Sequence, residues 1–282
     1  ILVEIVDPDP DACRRAERAA FHVFCASRLM TPSDAVAICT PPDTHGDLVR
    51  QALRAGKHVW VEKPVAENAD ATTVLVALAH ERPDRRALFV DHTFTFAPAV
   101  QRLAAEAPTD VQHVEIVRTH RCAPRPGVDI IGDLLPHDLS ILLACGLRVR
   151  AVYAQQGAHV AMLTLRLSAG ATASVWLSWA SYKQRRMAFY GPTRTVVYDH
   201  LDPREPVRVY EPHCADADAW SEDNVRSPAV SSHEPLARAV AAFQRACAGE
   251  APDNSEAALE VQRVVDAARK AARDGAWVEV AR

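Results

Sequence analysis

The chain of 282 residues is 49% hydrophobic and 24% charged with a formal net charge of −4, so it is long enough for two cores and lacks the positive charge that nucleic-acid and anionic-membrane partners require. No apolar run approaches the roughly 18 residues that span a bilayer. The opening Ile1 to Val6 stretch has neither the basic flank nor the length of a signal peptide, and a cytoplasmic protein is expected.

Read in order, the apolar run Leu2 to Asp7 stops at Asp-Pro-Asp-Pro and predicts a buried parallel strand. A helix is predicted from Asp11 to about Ser27. Asp34 to Thr40 repeats the strand pattern and is ended by Pro41-Pro42. Helical spacing over Thr44 to Ala55 is closed by Gly56, and the strand His58 to Val61 follows. A helix near Asn68 to His80 and a strand over Ala87 to Asp91 complete an alternation that implies a doubly wound parallel sheet over residues 1–92.

Beyond Thr93 the pattern changes. Strands are predicted at Val111 to Thr119, Val149 to Gln156, Ala161 to Leu167, Thr172 to Ser178, Arg186 to Tyr190, Thr195 to Tyr198 and Val207 to Tyr210, with a helix near His137 to Ala144. Short turns such as Ser168-Ala169-Gly170 argue for a large, mainly antiparallel sheet. The tail His233 to Arg273 reads as helix with a break at Gly249 to Asn254 that packs back across the structure, and residues 93–282 are expected to form a second, α+β domain.

The seven cysteines form no CxxC pair and no cluster with zinc spacing, so buried or incidental thiols and no metal are expected. Cys39 has no adjacent base to make it a nucleophile.

The stretch AICTPPDTHGDLVRQALRAGKHVWVEKP, Ala37 to Pro64, joins a strand ending in T-P-P-x-x-H to a helix, A-G-K-H-V and E-K-P. It resembles the core of the Gfo/Idh/MocA family of nicotinamide-dependent oxidoreductases. DHTFTFAPAV from Asp91, GDLLPHDLSI from Gly132, LSWASYKQRRMAFYG from Leu177 and HEPLARAVAAF from His233 are similar to segments of a branch that oxidises sugars and nucleotide sugars. The resemblance implies a Rossmann-type α/β domain followed by a substrate-binding and oligomerisation domain.

By that resemblance Lys63 touches both nicotinamide ribose and substrate hydroxyl, with Pro64 often cis. Asp133 and His137, four apart with Pro136 in the first turn of their helix, would face the cleft. His137 would accept the hydroxyl proton, Asp133 would orient it, and Lys63 would stabilise the developing alkoxide. An N-cap aspartate and a structural histidine are the plainer alternative. Asp138 reads as solvated or structural.

Asp7 ends a strand where an acidic group holds adenosine ribose and repels a 2′-phosphate, which favours NAD over NADP; a turn-forming aspartate before Pro8 is equally open. Thr40, Pro41 and His45 would line the dinucleotide, with Glu62 and His92 near the nicotinamide, although His45 also fits a helix entry. Trp179, Lys183 and Arg185 are expected at the substrate, the cationic pair suited to a carboxylate or diphosphate, with a solvated strand end as the alternative. Arg121 is a similar candidate.

The resemblance also implies a G-x-G-x-x-G turn for the pyrophosphate, and none of the 10 glycines supplies it. The chain starts on what should be the second strand, and the expectation is that an N-terminal unit is missing from this sequence, with its loss from the natural protein as the alternative. Gly132 replaces an aromatic residue of the branch, which would enlarge or loosen the pocket. An NAD-dependent dehydrogenase or reductase acting as a homodimer or homotetramer is the first expectation. A family member that performs a non-redox step or serves as a binding subunit is the rival.

Overall fold

The computed structural model describes residues 4–18, 22–25, 33–81, 85–123, 127–211 and 224–281. Its first parallel pair joins β1 (Glu4–Asp7) to β2 (His22–Cys25) across α1 (Pro10–Arg18), in the register Glu4 to His22 and Asp7 to Cys25. The predicted helix to Ser27 is therefore too long. His-Val-Phe-Cys pairs with β1 as a strand, and that long-range pairing overrides the helical spacing that precedes it.

β3 (Ala35–Ile38), β4 (His58–Val61) and β5 (Leu88–Val90) form a separate three-stranded parallel sheet, linked by α2 (Pro42–Arg54) and α3 (Ala69–His80). β1 and β3 are not paired with each other among the described residues. Gly56, at φ +74°, turns the chain out of α2 into β4. Val49, Leu53, Val59, Val61, Leu75 and Leu88 are buried in one cluster with Ala258 and Leu259, which come from far along the chain.

After a 3-10 turn (Thr93–Phe96) and α4 (Pro98–Glu106), both unpredicted, the chain enters β6 (His113–Thr119) and α5 (Ile130–Ala144). It continues through β7 (Val149–Gln156), β8 (Val160–Leu167), β9 (Thr172–Ser178), β10 (Gln184–Tyr190), β11 (Thr195–Asp199), β12 (Val207–Tyr210) and the short β13 (Val225–Arg226). These strands and β14 (Val278–Glu279) make a nine-stranded sheet ordered β13-β12-β11-β10-β6-β9-β8-β7-β14. Only β6 and β9 pair in parallel; the other pairs are antiparallel, as the short turns predict. β8 alternates exposed and buried positions along its whole length, burying Leu163 and Leu165 and exposing Val160 and Met162.

The helical tail resolves into α6 (Pro235–Cys247) and α7 (Ser255–Asp274). Ala258 and Leu259 of α7 enter the three-stranded sheet's core, whereas Val261, Val264, Val265, Ala268 and Ala271 enter the core beneath the large sheet. Just before α7, Asn254 accepts from the amide of Val90 at 2.7 Å and donates to its carbonyl at 2.8 Å, the pairing a neighbouring strand would make. Asp253 accepts from Leu88 N at 3.1 Å. The open edge of β5 is thereby covered. Among the described residues no helix is long and apolar enough to cross a membrane.

Candidate active site

Residues from both sheets meet at the carboxyl ends of the parallel strands, where open α/β sheets bind ligands. The turn after β4 carries Lys63 and a cis Lys63-Pro64 bond. Lys63 Nζ donates to the main-chain carbonyl of Asp133 at 2.8 Å and lies 3.4 Å from its carboxylate. Trp179 Nε1 donates to the other carboxylate oxygen at 3.3 Å. Asp133 is thus held from two directions, one helical turn before His137 on α5.

α5 begins earlier than predicted. Asp129 caps it by accepting from Gly132 N at 2.9 Å, and Pro136 lies inside the helix rather than in its first turn. Arg269 of α7 donates twice to Asp129 Oδ2, at 2.9 and 2.6 Å, and this pair fixes the start. Burial pushes the Asp129 carboxyl up, but Arg269 and the capped amide hold it lower than usual on balance. A Cβ on Gly132 would collide with the Arg269 guanidinium. The glycine makes room for that pair, and the expectation that it enlarges the pocket is corrected.

His137 packs edge-on to Phe94 with ring centroids 5.2 Å apart, and its Nδ1 is buried without a hydrogen-bond partner among the described residues. Burial, then the charges of Arg118, Lys63, His92 and Arg185, push it well below the ordinary histidine range, so it is neutral at pH 7. His92, just after β5, is buried with both ring nitrogens unpartnered among the described residues, and burial followed by Lys63 lowers it to about 4. Glu62 is pushed up by burial and by its hydrogen-bonded neighbour Asp91, with Lys63 opposing.

A cleft of about 330 Å³ opens beside these groups, lined by Arg118, His120, Asp133, Leu134, His137 and Arg185, with Cys122 and Ala123 at its margin. Arg118 is buried in a two-pronged ion pair with Asp138 at 2.7 and 2.8 Å, so Asp138 is structural and not solvated. Phe94 packs against these side chains, with the Arg118 guanidinium 4.8 Å and the Arg185 guanidinium 5.5 Å from its centroid and the His200 ring edge-on at 5.0 Å.

Several expected residues stand elsewhere. His45 is 1% exposed and directs one ring nitrogen to Pro64 O at 2.7 Å and the other to Thr40 O at 2.8 Å. It ties two strand ends together and has no ring nitrogen left for a dinucleotide, so its expected ligand role is corrected. Trp179 is 4% exposed and reaches the site only through Asp133, which corrects its expected substrate contact. Arg121 is exposed and outside the cleft lining, because alternation in the extended chain turns its neighbours His120 and Cys122 inward. Lys183 is an exposed residue whose charge reaches His120 and His200. Thr40 and Pro41 are exposed at the end of β3, the Thr40 hydroxyl 2.7 Å from that of Thr44. Asp7 accepts from Asp9 N at 2.8 Å, the turn bond of its plainer reading. Sequence reasoning missed Phe94, Arg118, His120 and His200. The alternation of Arg118, His120 and Cys122 along the end of β6 and the extended chain after it is the signal that would have shown two of them.

Residues 1–92 match the model of a family described as "Oxidoreductase family, NAD-binding Rossmann fold", GFO_IDH_MocA. This stretch belongs to the Gfo/Idh/MocA oxidoreductase family. The chain is 33% identical over 141 residues to UDP-N-acetylglucosamine 3-dehydrogenase of Acidithiobacillus ferrooxidans, a match covering 48% of this chain and 44% of that protein. It is 37% identical over 157 residues to inositol 2-dehydrogenase of Rhizobium meliloti, covering 50% and 46%. The chain therefore spans under half the length of these two relatives. In fold, the Acidithiobacillus enzyme superposes with a TM-score of 0.83 at 24% identity, covering 96% of this chain and 89% of that one. A levoglucosan dehydrogenase described as a complex with NADH and levoglucosan gives 0.82 at 17%, covering 100% and 90%. These likenesses show a Rossmann-type unit joined to a large mixed sheet.

Proposed function

We propose that this Gfo/Idh/MocA chain is an NAD-dependent oxidoreductase that moves hydride between nicotinamide and a secondary alcohol or ketone of a sugar or nucleotide sugar. The observation that carries this reading is the meeting of Lys63, Asp133 and a neutral His137 at the end of a parallel strand. Dehydrogenase relatives acting on UDP-N-acetylglucosamine and inositol support it.

The residues present fit the cofactor at its nicotinamide end. Both ring nitrogens of His92 are buried polar atoms lacking partners among the described residues, beside Lys63 and Glu62, and a polar guest would satisfy them. Asp7, with one carboxylate oxygen in the turn bond, has a second for adenosine ribose, favouring NAD over NADP. Thr40 and Pro41 would flank the dinucleotide between these ends. Bound nicotinamide supplies the hydride acceptor or donor.

The rest is the chain's own chemistry. Neutral His137 accepts the hydroxyl proton in oxidation and returns it in reduction. Lys63, steered by Asp133, places an ammonium group where negative charge develops on the substrate oxygen. Trp179 keeps Asp133 turned toward Lys63, and His45 keeps the Lys63-Pro64 turn against β3.

The same reading divides the chain into a cofactor domain of residues 1–92 and a substrate domain of 93–282, supported by two main apolar clusters, although α7 lends Ala258 and Leu259 to the first. A homodimer or homotetramer in the cytoplasm completes it. The exposed Met162 and Val160 on the outer face of the large sheet favour such an assembly.

The test is calorimetric titration with NADH, then NAD reduction with UDP-N-acetylglucosamine and with inositol. His137→Ala is expected to cut turnover by about 10²- to 10⁴-fold while leaving NADH affinity unchanged. An equal loss of both would remove His137 from the proposed role, and no NADH binding at all would favour a non-redox step.

A further inference from the structure

We propose that the cleft beside His137 receives an anionic oxo group of the substrate, a carboxylate or a phosphate, on the guanidinium of Arg185. The inference rests on the proposed function only in taking this cleft as the substrate site.

The argument begins with strand register. β6 and β10 are antiparallel neighbours, and Arg118 stands directly opposite Arg185. Like charges in that position repel. The protein relieves one of them: Asp138 grips Arg118 with two short hydrogen bonds, and both side chains are buried. Arg185 has no such partner. Among the described residues its guanidinium makes no ion pair and no hydrogen bond, and rests only on the Phe94 face, 5.5 Å from the ring centroid.

The other carboxylate of the cleft is already committed. Asp133 faces Lys63 at 3.4 Å and accepts from Trp179 at 3.3 Å. The lining therefore carries one unmatched, half-buried positive charge, with the exposed ammonium of Lys183 close enough to act on the same histidines. A half-buried guanidinium is costly without a counter-charge, and its planar fork fits the two oxygens of a carboxylate or phosphate. His137 packs on the same Phe94 ring at 5.2 Å, so an anion held by Arg185 would lie close to the proton acceptor. Burial and then the surrounding positive charge keep His137 and His200 low, and at His120 burial outweighs the opposing Asp133, which leaves the charged side chains to hold the anion. A plain neutral polyol would leave Arg185 unmatched.

The experiment is calorimetry on the whole chain at low salt with three probes: pyrophosphate, D-glucuronate and, as the neutral control, D-glucose. At least one anion is expected to bind, and Arg185→Gln to weaken it by about tenfold or more. Arg185→Lys, which keeps the charge but loses the fork, should fall between the two. Preference for pyrophosphate would assign a phosphate-linked sugar and preference for glucuronate a sugar acid. Failure of both anions to bind, or equal affinity in wild type and the folded Arg185→Lys variant with no loss in Arg185→Gln, would overturn the proposal. NADH is titrated in parallel. Lost NADH binding with intact, Arg185-dependent anion binding would sink the redox reading alone, and the reverse pattern would sink the anion site alone.

Discussion

His92 and His45 are both buried, yet they meet burial in opposite ways. His45 places both ring nitrogens on main-chain carbonyls, whereas His92 places neither on any described group. Burial therefore disfavours the charged form of His92 and lowers it to about 4. The sign follows from linkage. Above the unfolded value of about 6.5 both states are neutral and nothing is lost; as pH falls from there toward 4 the unfolded chain takes up a proton that the folded chain refuses. His92 is expected to remove about 3 kcal/mol of stability across that window. Urea midpoints measured from pH 7 to pH 4 should fall more steeply in the natural chain than in His92→Asn, and parallel curves would refute the assignment.

At the scale of one element, α5 shows how a tertiary partner selects a helix start. Asp129 caps the helix while Arg269 occupies the space over Gly132. Gly132→Ala gains helix propensity of up to about 1 kcal/mol but must move the Arg269 guanidinium off Asp129. In the natural chain the two effects are expected to cancel to within a few tenths of a kcal/mol. In an Asp129→Ala background, itself destabilised by about 1 kcal/mol through loss of the cap, the same Gly132→Ala change should stabilise by roughly 0.5–1 kcal/mol. A double-mutant cycle from denaturant unfolding reads this sign difference directly; identical effects in both backgrounds would show that Arg269 does not restrain Gly132.

The same element marks where sequence reading stops. The alternating strands and helices from Ala35 to Val90 were legible because each carries its own period and stop signal, such as Pro41-Pro42 before α2 and Gly56 after it. The start of α5 was not, since Pro136 is a strong local boundary signal and the cap that overrules it answers to a residue 140 positions away. β2 was lost for a similar reason: only pairing with β1 makes His22–Cys25 a strand. In the site, Lys63, Asp133 and His137 were named because a contiguous motif carries them. Phe94 and the Arg118–Asp138 pair were not, because their meaning lies in packing across elements.

Across the whole molecule α7 joins what the sequence suggests are two units. Its first turn gives Ala258 and Leu259 to the core of the three-stranded sheet, and its later turns fill the core under the nine-stranded sheet. Asp266 of the same helix accepts from Ala69 N at 2.6 Å and holds the start of α3. Leu259→Ala should cost about 2–5 kcal/mol, and because α7 is shared, one unfolding transition should move as a whole. Two transitions in calorimetry, with only one displaced, would show that the cores melt independently.

The Asn254 clasp on Val90 has a consequence for the order in which the protein is made. Residues 88–90 leave the ribosome long before residues 253–259, so during synthesis β5 stands with a bare edge while most of the chain is still being added. The three-stranded sheet is finished only by the segment that opens α7. Until then its exposed strand is open to any extended neighbour, and a chain that stalls short of residue 254 should be the form that chaperones retain and proteases clear.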